Sequence, residues 1–319
     1  MDKTTMRISN STLTSLCDEF KKNNRIEPEK FEKYEVKRGL RNADGSGVMA
    51  GLTRICNVHG YVMNEGEKAP VEGRLIYRGI DINDLVGGCV SENRFGFEET
   101  AWLLLFGSLP SPQQLAKFTE ILSAYRELPE YFAEDMIIKA PSPNIMNKLA
   151  RSVLALYSYD DLPDDLSMEN VLRQSIELIA RLPSIMAYAY QVKRRHYDRE
   201  SMYFHPNVPG LSTAETILHS LRADSAYTEE EARLLDLCLM LHAEHGGGNN
   251  STFAARVLTS SGTDTYSAMG AAIGSLKGPK HGGANIKVME MLEYLKEGIR
   301  DWGDEDEVRA FLVRMINKQ

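Results

Sequence analysis

The chain has 319 residues, 26% of them charged and 43% hydrophobic, with a formal net charge of −8. That is the make-up of a water-soluble globular protein of one large or two ordinary domains. The charge is opposite in sign to the basic surface of a nucleic-acid binder, and no apolar run is long enough to span a bilayer. Four widely spaced cysteines (Cys17, Cys56, Cys89, Cys238) form no CxxC pair, so reduced thiols of a cytoplasmic protein are expected, not a disulfide framework or a zinc site. The first residues, MDKTTMRISNSTLTSL, show no signal-peptide core.

Helical periodicity dominates from there on. Pro28 opens PEKFEKYEVKRGL, which reads as an exposed helix. Between Gly45 and Gly79 the texture changes to glycine and β-branched residues, predicting a small hairpin with RLIY as a strand. FEETAWLLLFGSLPSPQQLAKFTEILSAYREL then gives two helices broken at GSLPS, where Ser111 caps and Pro112 opens the second. Further helices are predicted over 144–158, 168–195, 212–222 and 228–244, with NIKVMEMLEYLKEGI and DEDEVRAFLVRMINK as the last two. The acidic run from Asp304 to Glu307 suits the first turn of the final helix. The fold class is all-α with one small hairpin near the N-terminus.

The stretch HAEHGGGNNSTFAARV, residues 242–257, raises the first functional question. Thr228 and Glu231 have capping-box spacing at the start of the preceding helix. Leu234, Cys238, Leu241 and His245 follow at steps of four, three and four, predicting one buried stripe that His245 prolongs, with Glu229, Arg233, Asp236 and Glu244 on another face. Three glycines then free the backbone to turn sharply, and Asn249, Ser251 and Thr252 supply hydrogen-bonding groups. The stretch is either a well-capped helix end with a satisfied core histidine or one wall of a binding site. It is no P-loop, because no Gly-Lys-Ser/Thr follows the glycines.

A second stretch, DTYSAMGAAIGSLKGPKHGGAN over 264–285, joins a helix of small residues, suited to very close packing, to a tight loop carrying His281. Asn285 is expected to cap the next helix. A neutral imidazole beside the positive end of a helix dipole can donate to a carbonyl oxygen and stabilise an enolate-like species, as in triosephosphate isomerase. The alternative is a polar loop residue among glycines that serve turn geometry only.

Taken together the two stretches closely resemble the citrate synthase family. GRLIYRGIDINDLV, FEETAWLLLFGSLPSPQQL and HPNVPGLSTAETILHSLR are similar to that family's segments, in the family's order, from about Gly45 onward. The resemblance implies a multi-helical large domain over residues 1–280, the beginning of a small helical domain over 281–319, and a homodimer. It also implies condensation of acetyl-CoA with oxaloacetate, a step of the tricarboxylic acid cycle, by a transferase that needs no metal or bound cofactor and uses acetyl-CoA as co-substrate. In that reading His281 is catalytic, His245 and Asn249 bind oxaloacetate, and Ser251 orients His281. Lys193, Arg194 and Arg195 in QVKRRHYDRE can meet the phosphates of CoA, or they are the solvated end of a helix.

The chain departs from the family pattern in one respect. A later GHxxY-like stretch, an Asp-Pro-Arg and the proton-abstracting aspartate are not found, which leads to the expectation of a truncated chain that makes no citrate by itself. Within the family, 2-methylcitrate synthase is the close alternative. From other classes, a metal-dependent hydrolase sharing His242, His245 and His281, and a non-catalytic dimerisation module, are the rivals. No nucleic-acid or membrane partner is expected.

Overall fold

The structure, a computed structural model, describes residues 27–33, 52–64 and 67–317. The chain divides into two compact units, residues 1–50 and 51–319. In the first, the described part is the helix α1, Pro28–Lys33, with Glu29 in its first turn and Lys33 in its last, in accord with the helix dipole. The rest of the helix predicted beyond Lys33, residues 34–51 and Cys17 lie outside the described residues.

The second unit begins with the predicted hairpin. Strand β1, Cys56–Asn64, pairs antiparallel with β2, Glu67–Tyr77, from Cys56 opposite Tyr77 to Asn64 opposite Glu67, with an irregularity between His59 and Tyr61. A two-residue strand β3, Ile80–Asp81, extends the hairpin to three strands. Asp81 then caps α2, Ile82–Ser91, by accepting from the Asn83 amide. Helices α3, Phe97–Phe106, and α4, Pro112–Tyr125, follow as expected, and Ser111 forms a full capping box with Gln114. A π-helical turn, Ala133–Ile138, leads to α5, Ile145–Leu156, and the long α6, Met168–Lys193. Lys148 on α5 is buried and donates from Nζ to Met136 O and Ala140 O, satisfying carbonyls at the end of that π turn. Burial pushes its ammonium group down to about 8.

The remaining helices are α7, Thr213–Leu221, α8, Glu229–His242, α9, Asn250–Thr259, α10, Thr265–Leu276, α11, Ala284–Gly298, and α12, Glu305–Ile316. The fold is therefore mostly helical with one small sheet, as the periodicity predicts. The boundary expected at 280/281 falls inside the second unit. Among the described residues, Cys56, Cys89 and Cys238 are free thiols and no helix is long and apolar enough to cross a membrane.

One apolar cluster joins the π turn, α5 and α6 through Phe132, Ile137, Val153, Leu178 and Ile185, with Tyr266 of α10. The Tyr266 hydroxyl donates to Asp160 at 2.7 Å, a carboxylate also held by Arg173 and Gln174. Those donors hold the Asp160 carboxyl well below its usual range against its burial. Helix α10 lies close on α5 as its small residues predict: a Cβ added at Gly270 would stand 2.9 Å from Leu154 Cγ. A second cluster, Cys56, Tyr77, Leu85, Cys89, Leu103 and Met240, packs the sheet end against α2, α3 and α8.

Helix α8 turns a different face inward from the one predicted. Ala232, Asp236 and Met240 are buried, whereas Leu234 is 64% exposed and Cys238 and Leu241 are exposed as well. The cause is a polar one. Asp236 accepts from the amides of Gly96 at 2.7 Å and Phe97 at 3.2 Å, capping the start of α3, where Gly96 itself has no side chain to do so. Met240 fills the space above Gly96, where an added Cβ would come within 2.6 Å of its Sδ.

Burial pushes the Asp236 carboxyl up from 3.8 to about 6, against the pull of the two amides. The folded chain thus binds this proton more tightly than the unfolded one, so the contribution of Asp236 to stability is greatest below about pH 4 and declines as pH rises towards 6. The stability difference between wild type and Asp236→Asn should fall by about 3 kcal/mol across that window. Urea denaturation at a series of pH values measures it, and a difference that stays flat or grows with pH would contradict the buried-carboxylate account.

Candidate active site

Two loops carry the candidate residues. The first follows α8. Its residue Gly246 has φ +102°, a left-handed conformation that glycine adopts without strain. The carboxylate of Glu244 accepts from the amides of His245 at 3.0 Å and Gly246 at 2.7 Å. Asn249 caps α9: its Oδ1 accepts from the Thr252 amide, and its Nδ2 donates to Gly246 O and Thr252 Oγ1, both at 2.7 Å. Asn249, expected to face an anionic ligand, thus turns its amide into its own loop. His245 is exposed on the rim, not at the end of a buried stripe.

The second loop runs from α10 to α11. Gly282 leaves no room for a side chain, since a Cβ there would stand 2.0 Å from Leu276 O, and at Gly283 it would stand 2.6 Å from Pro279 O. The His281 and Gly282 amides both donate to Gly278 O, closing a tight turn. The cap of α11 is Gly283, without a side-chain hydrogen bond, and Asn285, expected to cap, lies inside the helix. The glycines allow the chain to re-enter a helix so soon after His281 that Asn285 is already in its first turn.

Folding brings the two histidines together. Their ring centroids stand 6.1 Å apart with the planes at 51°. Ser251, in the first turn of α9, touches His281 Nε2 at 2.9 Å and donates to Ala272 O at 2.9 Å. A hydroxyl has one hydrogen, so these two contacts are linked. With that hydrogen on Ala272 O, His281 Nε2 donates to Ser251 and Nδ1 is an acceptor. With it turned to His281, Nε2 accepts and a neutral ring donates from Nδ1. Either way Ser251 engages Nε2, and Nδ1 is the ring nitrogen it does not touch.

Two residues that support the first loop are not singled out by the sequence. Tyr77, at the end of β2, is wholly buried and reaches the C-terminal end of α8 with its hydroxyl. Glu244 holds the loop backbone and, after burial itself, is the main cause pushing the neighbouring Cys56 thiol up to about 11. His242 turns away, its Nδ1 lying 2.7 Å from the carbonyl of Cys238. Among the described residues no group of three or more His, Cys, Asp or Glu stands where it could hold a metal ion.

The basic cluster lies elsewhere in the chain, where α6 passes into a π-helical turn, Arg194–Asp198. Lys193 is paired with Asp198 at 2.7 Å, and Arg194 with Glu200 while lying over the Tyr190 ring. A phosphate bound there would compete with two carboxylates.

A Gly282→Ala substitution tests how far His281 depends on its loop. The clash is with backbone, which cannot swing aside as a side chain would, so the loop must open. The expected cost is about 1–3 kcal/mol of stability together with loss of the Ser251–His281 contact. Thermal unfolding and the imidazole NMR signal of His281 measure the two; an unchanged signal would show that the loop absorbs the methyl group.

The family model described as citrate synthase, C-terminal domain, matches residues 42–319. A citrate synthase of Haloferax volcanii is 34% identical over 273 residues, which cover 84% of this chain and 64% of that protein. The 2-methylcitrate synthase 1 of Corynebacterium glutamicum is 32% identical over 259 residues, covering 81% of this chain and 61% of that protein. Among solved structures, a citrate synthase from Pyrobaculum aerophilum superposes with a TM-score of 0.65 at 29% identity, covering 81% of this chain and 61% of that one. The chain thus spans somewhat under two thirds of the length of these relatives.

Proposed function

Because the chain belongs to the citrate synthase family, we propose that it carries the two-histidine part of a site that condenses acetyl-CoA with oxaloacetate to give citrate and CoA. The observation that supports this best is the Ser251–His281–His245 arrangement: one imidazole backed by a hydroxyl at 2.9 Å, and a second ring 6.1 Å from it.

The chemistry asks for such an arrangement. The methyl group of a thioester is a weak carbon acid, and its proton leaves readily only when the oxyanion forming on the carbonyl meets a fixed donor. His281 is that donor, through Nδ1. Its Nε2 is turned to Ser251, so donation by the neutral ring requires the Ser251 hydrogen to leave Ala272 O and point at His281. The Ser251 hydrogen and the His281 tautomer are thereby coupled, and the same contact holds the ring orientation. His245, on the facing loop, holds the keto acid, and Asn249 serves it by fixing the turn from which His245 projects. Donation to an anionic ligand by these groups is stronger than between neutral partners.

The same proposal takes the protein to be a homodimer of the cytoplasm that uses no metal or bound cofactor, with a smaller domain starting at the His281 loop. A CoA phosphate at Lys193, Arg194 and Arg195 would have to displace Asp198 from Lys193 and Glu200 from Arg194. The nearest competing reaction is condensation of propionyl-CoA, the substrate choice that a 2-methylcitrate synthase among the relatives brings to mind. Thiol release in the whole protein, with oxaloacetate and either acetyl-CoA or propionyl-CoA, tests the reading. A higher kcat/KM with acetyl-CoA is expected; preference for propionyl-CoA would move the assignment to 2-methylcitrate synthase, and release with neither would reject it.

A further inference from the structure

Tyr77 does more than fill the core. It closes β2 with its ring wholly buried, and its hydroxyl faces three carbonyls: Met240 O at 3.0 Å and Leu241 O at 3.4 Å in the last turn of α8, and Glu244 O at 2.9 Å just past it. It also accepts from the Glu244 amide at 3.2 Å. The last carbonyls of a helix have no partner within it; here a phenol from the sheet offers them its one hydrogen, while Met240 O also accepts from the Ala243 amide at 3.3 Å. Glu244, held by its backbone, then holds the amides of His245 and Gly246 with its carboxylate. Only one residue therefore separates the phenol from His245. The sheet also abuts the turn beyond: a Cβ on Gly246 would lie 3.6 Å from Val58 Cγ2 of β1.

We propose that Tyr77 is a positioning residue for His245, its phenol fixing the helix end and the Glu244 backbone from which that imidazole projects. The acceptor site is then set by the sheet as well as by α8. This rests on the reading of His245 as a ligand for the keto acid, and it adds a residue 168 positions away that touches no substrate.

The test is Tyr77→Phe, which keeps the ring and removes the oxygen. In the 319-residue chain, titration calorimetry with oxaloacetate and NMR of histidine-labelled protein give two readouts. The dissociation constant should rise about tenfold, within the range that loss of one buried hydrogen-bond partner produces. The imidazole signal of His245 should shift or broaden even without ligand, while those of His205 and His219 stay in place. Val86→Ala, which thins the same apolar cluster, should lower the melting temperature and leave both readouts unchanged. Glu244→Ala reads the same link from the part-buried side, independently of how Tyr77→Phe folds. It should move His245 too, and the double variant should lose less than the sum of the two. Unchanged affinity and an unmoved His245 signal in Tyr77→Phe would overturn the proposal, as would equal movement in Val86→Ala. If wild type fails to bind oxaloacetate but Tyr77→Phe still moves His245, the positioning role stands and the acceptor reading falls.

Discussion

On the proposed function, His281→Ala is expected to lower kcat by about 10²–10³, as removal of one oxyanion donor typically does, with little change in the KM for oxaloacetate. His281 is braced for this role by Ser251 at its Nε2 and by the tight glycine turn that leaves Gly282 no room for a side chain. His245→Ala should behave differently. On the proposed function it removes a donor to an anion bound before and during the reaction, so the KM for oxaloacetate should rise by about 10- to 100-fold with a smaller effect on kcat. The separation of the two effects matters more than either magnitude, because a general loosening of the site would raise KM and lower kcat in both variants alike. Steady-state kinetics with each substrate varied measure it. Wild-type behaviour in both variants would show that the two loops are not the site.

The second large effect concerns stability and a buried charge. Arg126, at the end of α4, is 2% exposed. It donates to Leu211 O and Thr213 Oγ1 and stands 3.8 Å from Glu98 Oε1. Glu98, also buried, accepts from the Thr213 amide at 2.7 Å, at the start of α7. The pair thus joins α3, α4 and α7, and burial lowers the pKa of Arg126 despite the charges of Glu98 and Glu215. Arg126→Ala leaves Glu98 buried beside no cation, a situation that costs about 3–5 kcal/mol. Adding Glu98→Gln should return part of that loss, since the amide keeps an acceptor for Thr213 and carries no charge to bury. Equilibrium urea unfolding of the three proteins decides; a cost under about 1 kcal/mol for Arg126→Ala would show that the pair is solvated in solution.

These effects also show what the sequence could and could not convey. The helix starts were legible because their signals are local: Ser111 with Gln114 and Thr228 with Glu231 form the capping boxes that their spacing predicts. The pairing of His245 with His281 was reachable only through resemblance, since they lie 36 positions apart and no periodicity links two loops. The inward face of α8 was misread because a count of apolar positions favours Leu234, Cys238 and Leu241. The structure buries Asp236 instead, whose carboxylate caps a helix 139 residues earlier in the chain. Tyr77 eluded the sequence for the same reason, its partners lying 163 to 167 positions away. A residue that acts on a distant backbone carries no spacing of its own.

The central claim is that His245 and His281 face one ligand. Titration of oxaloacetate into the chain, with its histidines isotopically labelled, tests it most directly through the imidazole resonances. The account predicts that the signals of His245 and His281 move together and saturate at one concentration, while those of His205 and His219, a pair elsewhere in the fold with ring centroids 5.5 Å apart, do not move. Saturable binding that moves neither His245 nor His281 would contradict it.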